Sequence, residues 1–255
     1  MYSTPIADAV KNEKIFETGS RLLKFFALTI KAAVYKEYDN NETLNYFLKS
    51  INTESTVFDI GAHKDEYVFF LMKMAKRAGR LIAFERERST YTHLLKKKEI
   101  LRLKNVDIEQ QSFSEETGRS AMDFICKRKE ATVIDFYERI NSEYKKGCAA
   151  RTLDNYCINH EIIPDFIKID GEGNGLSILH GAVKIIERYK PKILMQCEER
   201  LEGRDKILET FKFLTDLKYA GYFILDTMKI PVRNFDFNIY QNPFSNFYCK
   251  EFIFE

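Results

Sequence analysis

The chain has 255 residues, enough for one α/β domain with a short extension and too few for two full domains. Hydrophobic residues make up 45% and charged residues 31%, an ordinary globular balance, with 21 Phe and 14 Tyr to fill a core that has no Trp. The formal net charge of +2, from 40 basic and 38 acidic residues, gives no general pull towards nucleic acid and excludes it as an expected partner.

Five cysteines, Cys126, Cys148, Cys157, Cys197 and Cys249, are scattered and form no CxxC pair or Cys/His cluster, so no metal site is expected. Scattered thiols suit a reducing compartment, and the first residues carry no basic region followed by an apolar run. A cytoplasmic location is the expectation. The segment Arg21 to Tyr35 is apolar but interrupted by Lys24 and Lys31, and it is too short to span a bilayer. It reads as an amphipathic helix packed on the domain, or as a membrane-surface helix flanked by basic residues. Residues 1–50 are read as a helical N-terminal extension, ending in the helix-like run LNYFLKSI, and 51–255 as the domain.

A regular alternation then begins. Thr56 to Ile60 is a short β-rich run ending at a glycine, and Tyr67, Phe70, Leu71, Met74 and Ala78 follow at helical spacing. Gly79 is read as the C′ residue of that helix. Leu81 to Phe84 is a second strand, Tyr91, Leu94, Leu95 and Leu101 mark a second helix, and Val106 to Gln111 is a weaker third strand. Ser112 to Ala149 is irregular, with a candidate strand AMDFI. Phe166 to Ile169 is a strand, Ile178 to Ile186 a helix stopped before Pro191, and Lys192 to Gln196 a strand. Ile207, Leu208, Phe211 and Leu214 mark a helix stopped by Gly221, and Tyr222 to Leu225 and Phe247 to Phe254 are the last strands. Strands alternating with helices predict a doubly wound, mostly parallel α/β sheet of the Rossmann-like kind.

In such sheets a ligand sits at the carboxyl ends of the strands, where strand order reverses. That rule selects Asp59 with Gly61, Glu85, Asp170 with Glu172, and Glu198. Gly61 opens a strand-to-helix turn where the backbone can approach a ligand closely, or is an ordinary βα turn. Glu85 can accept both hydroxyls of a ribose, or is a solvated strand-end acid. Asp170 and Glu172 repel each other in one glycine-rich turn, which suits a cation, a proton in transit or a metal; otherwise they are a helix cap and a loop acid.

The segments TVFDIGAHK, AFE, RTLDNY, PDFIKIDGEG, LSILHGA and PKILMQCE, in this order and spacing over roughly residues 55 to 200, resemble the FkbM-type methyltransferases. The resemblance implies a seven-stranded sheet with one antiparallel strand, S-adenosylmethionine as cofactor, and O-methylation of a hydroxyl on a sugar, glycan or other small natural product. It implies that Asp59, Gly61 and Ala62 shape the loop around the methionine end of the cofactor. Glu85 would hold the ribose, with Arg86 beside it and Ser112 near the adenine. Asp170 and Glu172 would face the transferred methyl, with Glu198 close by. The chain departs from the family at Asp65, where a glycine is usual, at Arg86, where a proline is usual, and at Gly175, where a glutamate is usual.

The base that takes the acceptor's proton is expected to be Asp170, with Glu172, His63 and His180 as alternatives. The departures motivate a rival from another class, a methyltransferase-like binding protein that has lost turnover. An NAD-type oxidoreductase ranks low because the GxGxxG fingerprint is absent. The acceptor pocket is expected from loops, Ser112 to Ala149 and Ile230 to Asn246.

Overall fold

In the computed structural model of the chain, the described residues are 20, 22–23, 42–62, 74–116, 150–242, 244 and 248–255. His63, Asp65, the candidate strand AMDFI and nearly all of Arg21 to Tyr35 lie outside them. No helix among the described residues is long and apolar enough to cross a membrane.

Among the described residues, ten strands and their helices follow in chain order. They are α1 (Glu42–Ser50), β1 (Thr56–Ile60), β2 (Arg80–Phe84), α2 (Arg88–Leu101), β3 (Val106–Glu109), β4 (Ser112–Phe113) and β5 (Ala150–Arg151). Next come α3 (Leu153–His160), β6 (Phe166–Ile169), α4 (Gly175–His180), α5 (Val183–Tyr189), β7 (Lys192–Gln196), α6 (Glu199–Glu202) and α7 (Arg204–Asp216). The chain ends with β8 (Gly221–Leu225), β9 (Met228–Pro231), α8 (Phe237–Tyr240) and β10 (Glu251–Phe254).

The main sheet has the order β3-β2-β1-β6-β7-β10-β8-β9. Strands β3, β2, β1, β6 and β7 run parallel, and β10 is antiparallel to both β7 and β8. The mostly parallel α/β expectation therefore holds, with one strand more than the expected seven. The extra strand is β9, a hairpin partner of β8 with register Leu225↔Met228. It was missed because Met228 to Pro231 ends in a proline and shows no clear alternation; only an edge tolerates a proline in a sheet, and β9 lies at the edge.

The single helix expected over Ile178 to Ile186 is broken into α4 and α5. A Cβ on Gly181 would meet the Ser114 carbonyl oxygen at 2.1 Å, so the chain bends there against a neighbouring backbone. Asp154 caps the restarted helix, accepting the Lys184 and Ile185 N–H groups at 3.1 and 3.0 Å. The RTLDNY and LHGA segments are thus one structural joint. Gly79 is also corrected: its φ is not left-handed, and glycine is needed because the Thr53 carbonyl oxygen stands 2.3 Å from where a Cβ would be.

Helix α1 lies in the segment read as an extension. Its Phe47 is fully buried and meets Phe166 edge-on, ring centroids 5.5 Å apart. Thr43 accepts the Ile224 N–H of β8 at 3.2 Å.

Candidate active site

Strand order reverses between β1 and β6, whose chain neighbours lie on opposite sides of the sheet. Their carboxyl ends are joined: the Asp170 N–H donates to Ile60 O at 2.9 Å, and the Gly61 and Ala62 N–H groups both donate to Phe84 O of β2. Gly61 has φ +83, and a Cβ there would stand 2.0 Å from Asp170 O. The glycine is required by the close approach of β6, before any ligand is considered.

Alternation along the strands places the charged candidates on one face. Asp59 follows Val57, Glu85 follows Ala83, and Lys168 and Asp170 follow Phe166 on the same side; these three apolar residues belong to one core cluster. Asp59 is fully buried and receives a hydrogen bond from the Lys168 ammonium at 3.1 Å, the two residues being register partners. Burial works against the Lys168 charge, but Asp59, Asp170 and Glu251 together push its pKa above the ordinary lysine value. Sequence reasoning missed Lys168. Its only signal was a lysine inside the otherwise apolar run FIKI.

Glu85 is 6% exposed and accepts the Glu87 N–H at 2.7 Å. Arg86 pairs with Glu172 at 3.2 Å, across the end of β1, which separates β2 from β6. Glu172 and Gly173 take left-handed backbone, φ 46 and 86, in a turn closed by the Asn174 N–H on Gly171 O at 2.8 Å. A non-glycine residue costs about 1–2 kcal/mol there, so the turn and not the exposed ion pair fixes Glu172. Lys206 donates to Gly173 O and holds the turn from α7.

At Gly175 the Met195 methyl group stands 2.6 Å from where a Cβ would be, so any side chain there would need Met195 to shift. Ser112 lies on β4, paired with Ala150 of β5 in a separate two-stranded sheet. That sheet is tied to the Glu172 turn by Asn174, which donates to Phe113 O at 3.4 Å. His180 is carried away from the acids, at the far end of α4, where it contacts Glu115 at 3.5 Å and packs edge-on against Phe213.

Glu198 lies just past β7, 3% exposed, and is met by Tyr248 at 3.1 Å, Arg200, Gln196 and, at 3.9 Å, Lys250. Burial pushes the neighbouring Cys197 thiol well up, and Glu202 and Asp170 add to this. Among the described residues no group of three or more His, Cys, Asp or Glu could hold a metal ion.

The strand-end acid Glu85, the tight Gly61 turn and the turn carrying Asp170 and Glu172 thus gather at the carboxyl ends of β2, β1 and β6, at the switch point of an α/β sheet. The chain belongs to the FkbM methyltransferase family: the sequence model described as Methyltransferase FkbM domain matches residues 59–224. The crystal structure of methyltransferase FkbM from Methylobacillus flagellatus KT is similar, with TM-score 0.53 and 17% identity over 98% of this chain. The chain spans only 57% of that protein's length. A precorrin 8w decarboxylase from Methanobacterium thermoautotrophicum has TM-score 0.42 and 14% identity, covering 84% of this chain and 87% of its own. A tRNA methyltransferase from Aquifex aeolicus has TM-score 0.41 and 11% identity, covering 84% and 67%. No curated protein matches the sequence.

Proposed function

We propose that this methyltransferase binds S-adenosylmethionine and methylates a hydroxyl oxygen on a sugar, glycan or other small natural product. The observation that carries the reading is Glu85, a buried carboxylate at the end of β2 beside the Gly61 turn. A ribose diol offers two donors and a carboxylate accepts both, so the residues present fit the nucleoside of this cofactor. When bound, the cofactor would supply a methyl group on a positively charged sulfur, already a good leaving group.

The chain's own task is then alignment and proton removal. Gly61, Ala62 and Asp59 would hold the methionine end of the cofactor, and Ser112 would lie towards its adenine. Asp170, ending a central strand, takes the acceptor's proton; Glu172 is engaged by Arg86 and shapes the site. His63 remains an alternative base in the proposal. A net charge of +2 favours a small acceptor over nucleic acid, although the fold alone hosts both. Free Cys157, Cys197 and Cys249 accord with a reducing cytoplasm.

Calorimetric titration with S-adenosylmethionine, S-adenosylhomocysteine and NAD tests the reading. Binding of both sulfur ligands and not NAD is expected; binding of NAD alone overturns it. A second reading, binding without turnover, is favoured by Gly175 standing where the resemblance implies a glutamate, with the Met195 methyl group packed against it. Binding with no methylated product over a panel of hydroxyl acceptors would select it.

A further inference from the structure

The Asp59–Lys168 pair is buried where apolar residues would serve the fold as well. Asp59 is 0% exposed and the Lys168 side chain 13%. Two residues earlier on the same face of the same strands stand Val57 and Phe166, which need no partner. Removing two charges from water is costly, and replacing a buried pair by apolar groups is often neutral or stabilising. The pair lies one step inside the carboxyl ends of β1 and β6, at the switch point, where a ligand sits and screening is least.

Resting on the proposed S-adenosylmethionine reading, we propose that Lys168 is a positioning residue that cancels the Asp59 charge at the turn that would take the cofactor's methionine end. In the reaction the acceptor oxygen forms a C–O bond while the C–S bond breaks. The electron pair stays on sulfur, the positive charge is lost, and the hydroxyl proton passes to a base. An added negative charge near the sulfonium would stabilise the charged reactant more than the transition state and so slow transfer. An added positive charge there would repel the reactant. The pair avoids both. Asp170 and Glu251, which also face the lysine, are common to every variant below and drop out of the comparison.

The test is the ratio of S-adenosylmethionine affinity to S-adenosylhomocysteine affinity, measured by calorimetry on the full chain at pH 7.5. The two ligands differ by the methyl group and the positive charge, and any loss of folded protein affects both titrations alike. Asp59→Asn should lower the ratio about tenfold, Lys168→Met should raise it about tenfold, and the double variant should restore it to near the wild-type value. If one single variant does not fold, the other decides by its sign against the double variant. Single variants that leave the ratio unmoved, or move it the same way, overturn the proposal and make the pair an element of the sheet alone. A wild type that binds neither ligand overturns the cofactor reading itself, and the proposal with it.

Discussion

On one face of the sheet Phe58, Phe84, Phe252 and Phe254 are buried with Tyr156, Cys157 and Cys197. On the other, Val57, Leu81 and Ala83 give way towards the carboxyl end to Asp59, Glu85, Lys168 and Asp170. The same strands build both faces, and alternation alone sorts them. The aromatic face makes edge-to-face contacts, Phe58 with Phe84 at 5.3 Å and Phe84 with Tyr156 at 5.0 Å. The charged face spends buried positions on groups whose desolvation the fold must offset. The contrast assigns stability to the first and ligand chemistry to the second, and each substitution below tests that division.

The largest effect is expected at Asp170. With a hydroxyl acceptor in hand, Asp170→Asn should lower methyl transfer by about 10²–10⁴-fold, the usual worth of a general base, while the melting temperature stays near wild type. A near-normal rate would move the base to another residue, His63 first. On the opposite face, Phe58→Ala should cost about 3–5 kcal/mol of folding stability in a denaturant titration, because a fully buried ring is lost from an interlocked group. Ligand affinity of the molecules that remain folded should hardly change. If affinity fell as much as stability, the two faces would not be separable.

Glu85→Ala sharpens the comparison from the charged side. It should weaken S-adenosylhomocysteine binding by about 1–3 kcal/mol, the range for charged hydrogen bonds, read by calorimetry. Glu198 is the internal control: equally buried, but surrounded by Arg200, Tyr248 and Lys250. Its removal leaves two cations without their carboxylate, so Glu198→Ala should lower stability more than it lowers affinity. Equal behaviour of the two glutamates would deny Glu85 its ligand role.

Much of this was legible beforehand, for physical reasons. Runs such as TVFDI and KILMQ are short, apolar and bounded by turn residues, so β1 and β7 could be read directly. Strand-end acids follow from strand ends, so Glu85 and Asp170 were found with them. Lys168 was not, because its partner Asp59 is 109 residues away and pairing depends on register. The capping of α5 by Asp154 was hidden for the same reason: a helix's cap normally precedes it by a residue, and this one comes from α3. The Arg86–Glu172 pair needed the strand order, which local pattern does not give.

The smallest effect comes from the thiols of the aromatic face. Burial pushes Cys157 up to about 12, with the Asp154 charge adding to it, and burial likewise holds Cys249 at about 12. In the unfolded chain a thiol ionises near its ordinary value of about 8.5. The folded state therefore holds protons that the unfolded state releases, so stability is fully present below about pH 8.5 and is lost as pH rises towards 12. Tyr156 and Tyr219 are also pushed up, both mainly by burial, but an unfolded phenol ionises only near pH 10. The interval from pH 9 to 10 thus belongs chiefly to the thiols. Cys157 alone should cost about 1 kcal/mol across it. Urea titrations under reducing conditions at pH 8, 9 and 10 would measure this for wild type and Cys157→Ala. The variant should be less stable at pH 8, having lost a buried side chain, and should decline less steeply above pH 9. Equal slopes would mean that the Cys157 thiol ionises as readily in the folded chain as in the unfolded one. The aromatic face would then be open to water at α3, and the division between the two faces would fail on the side where it is drawn most firmly.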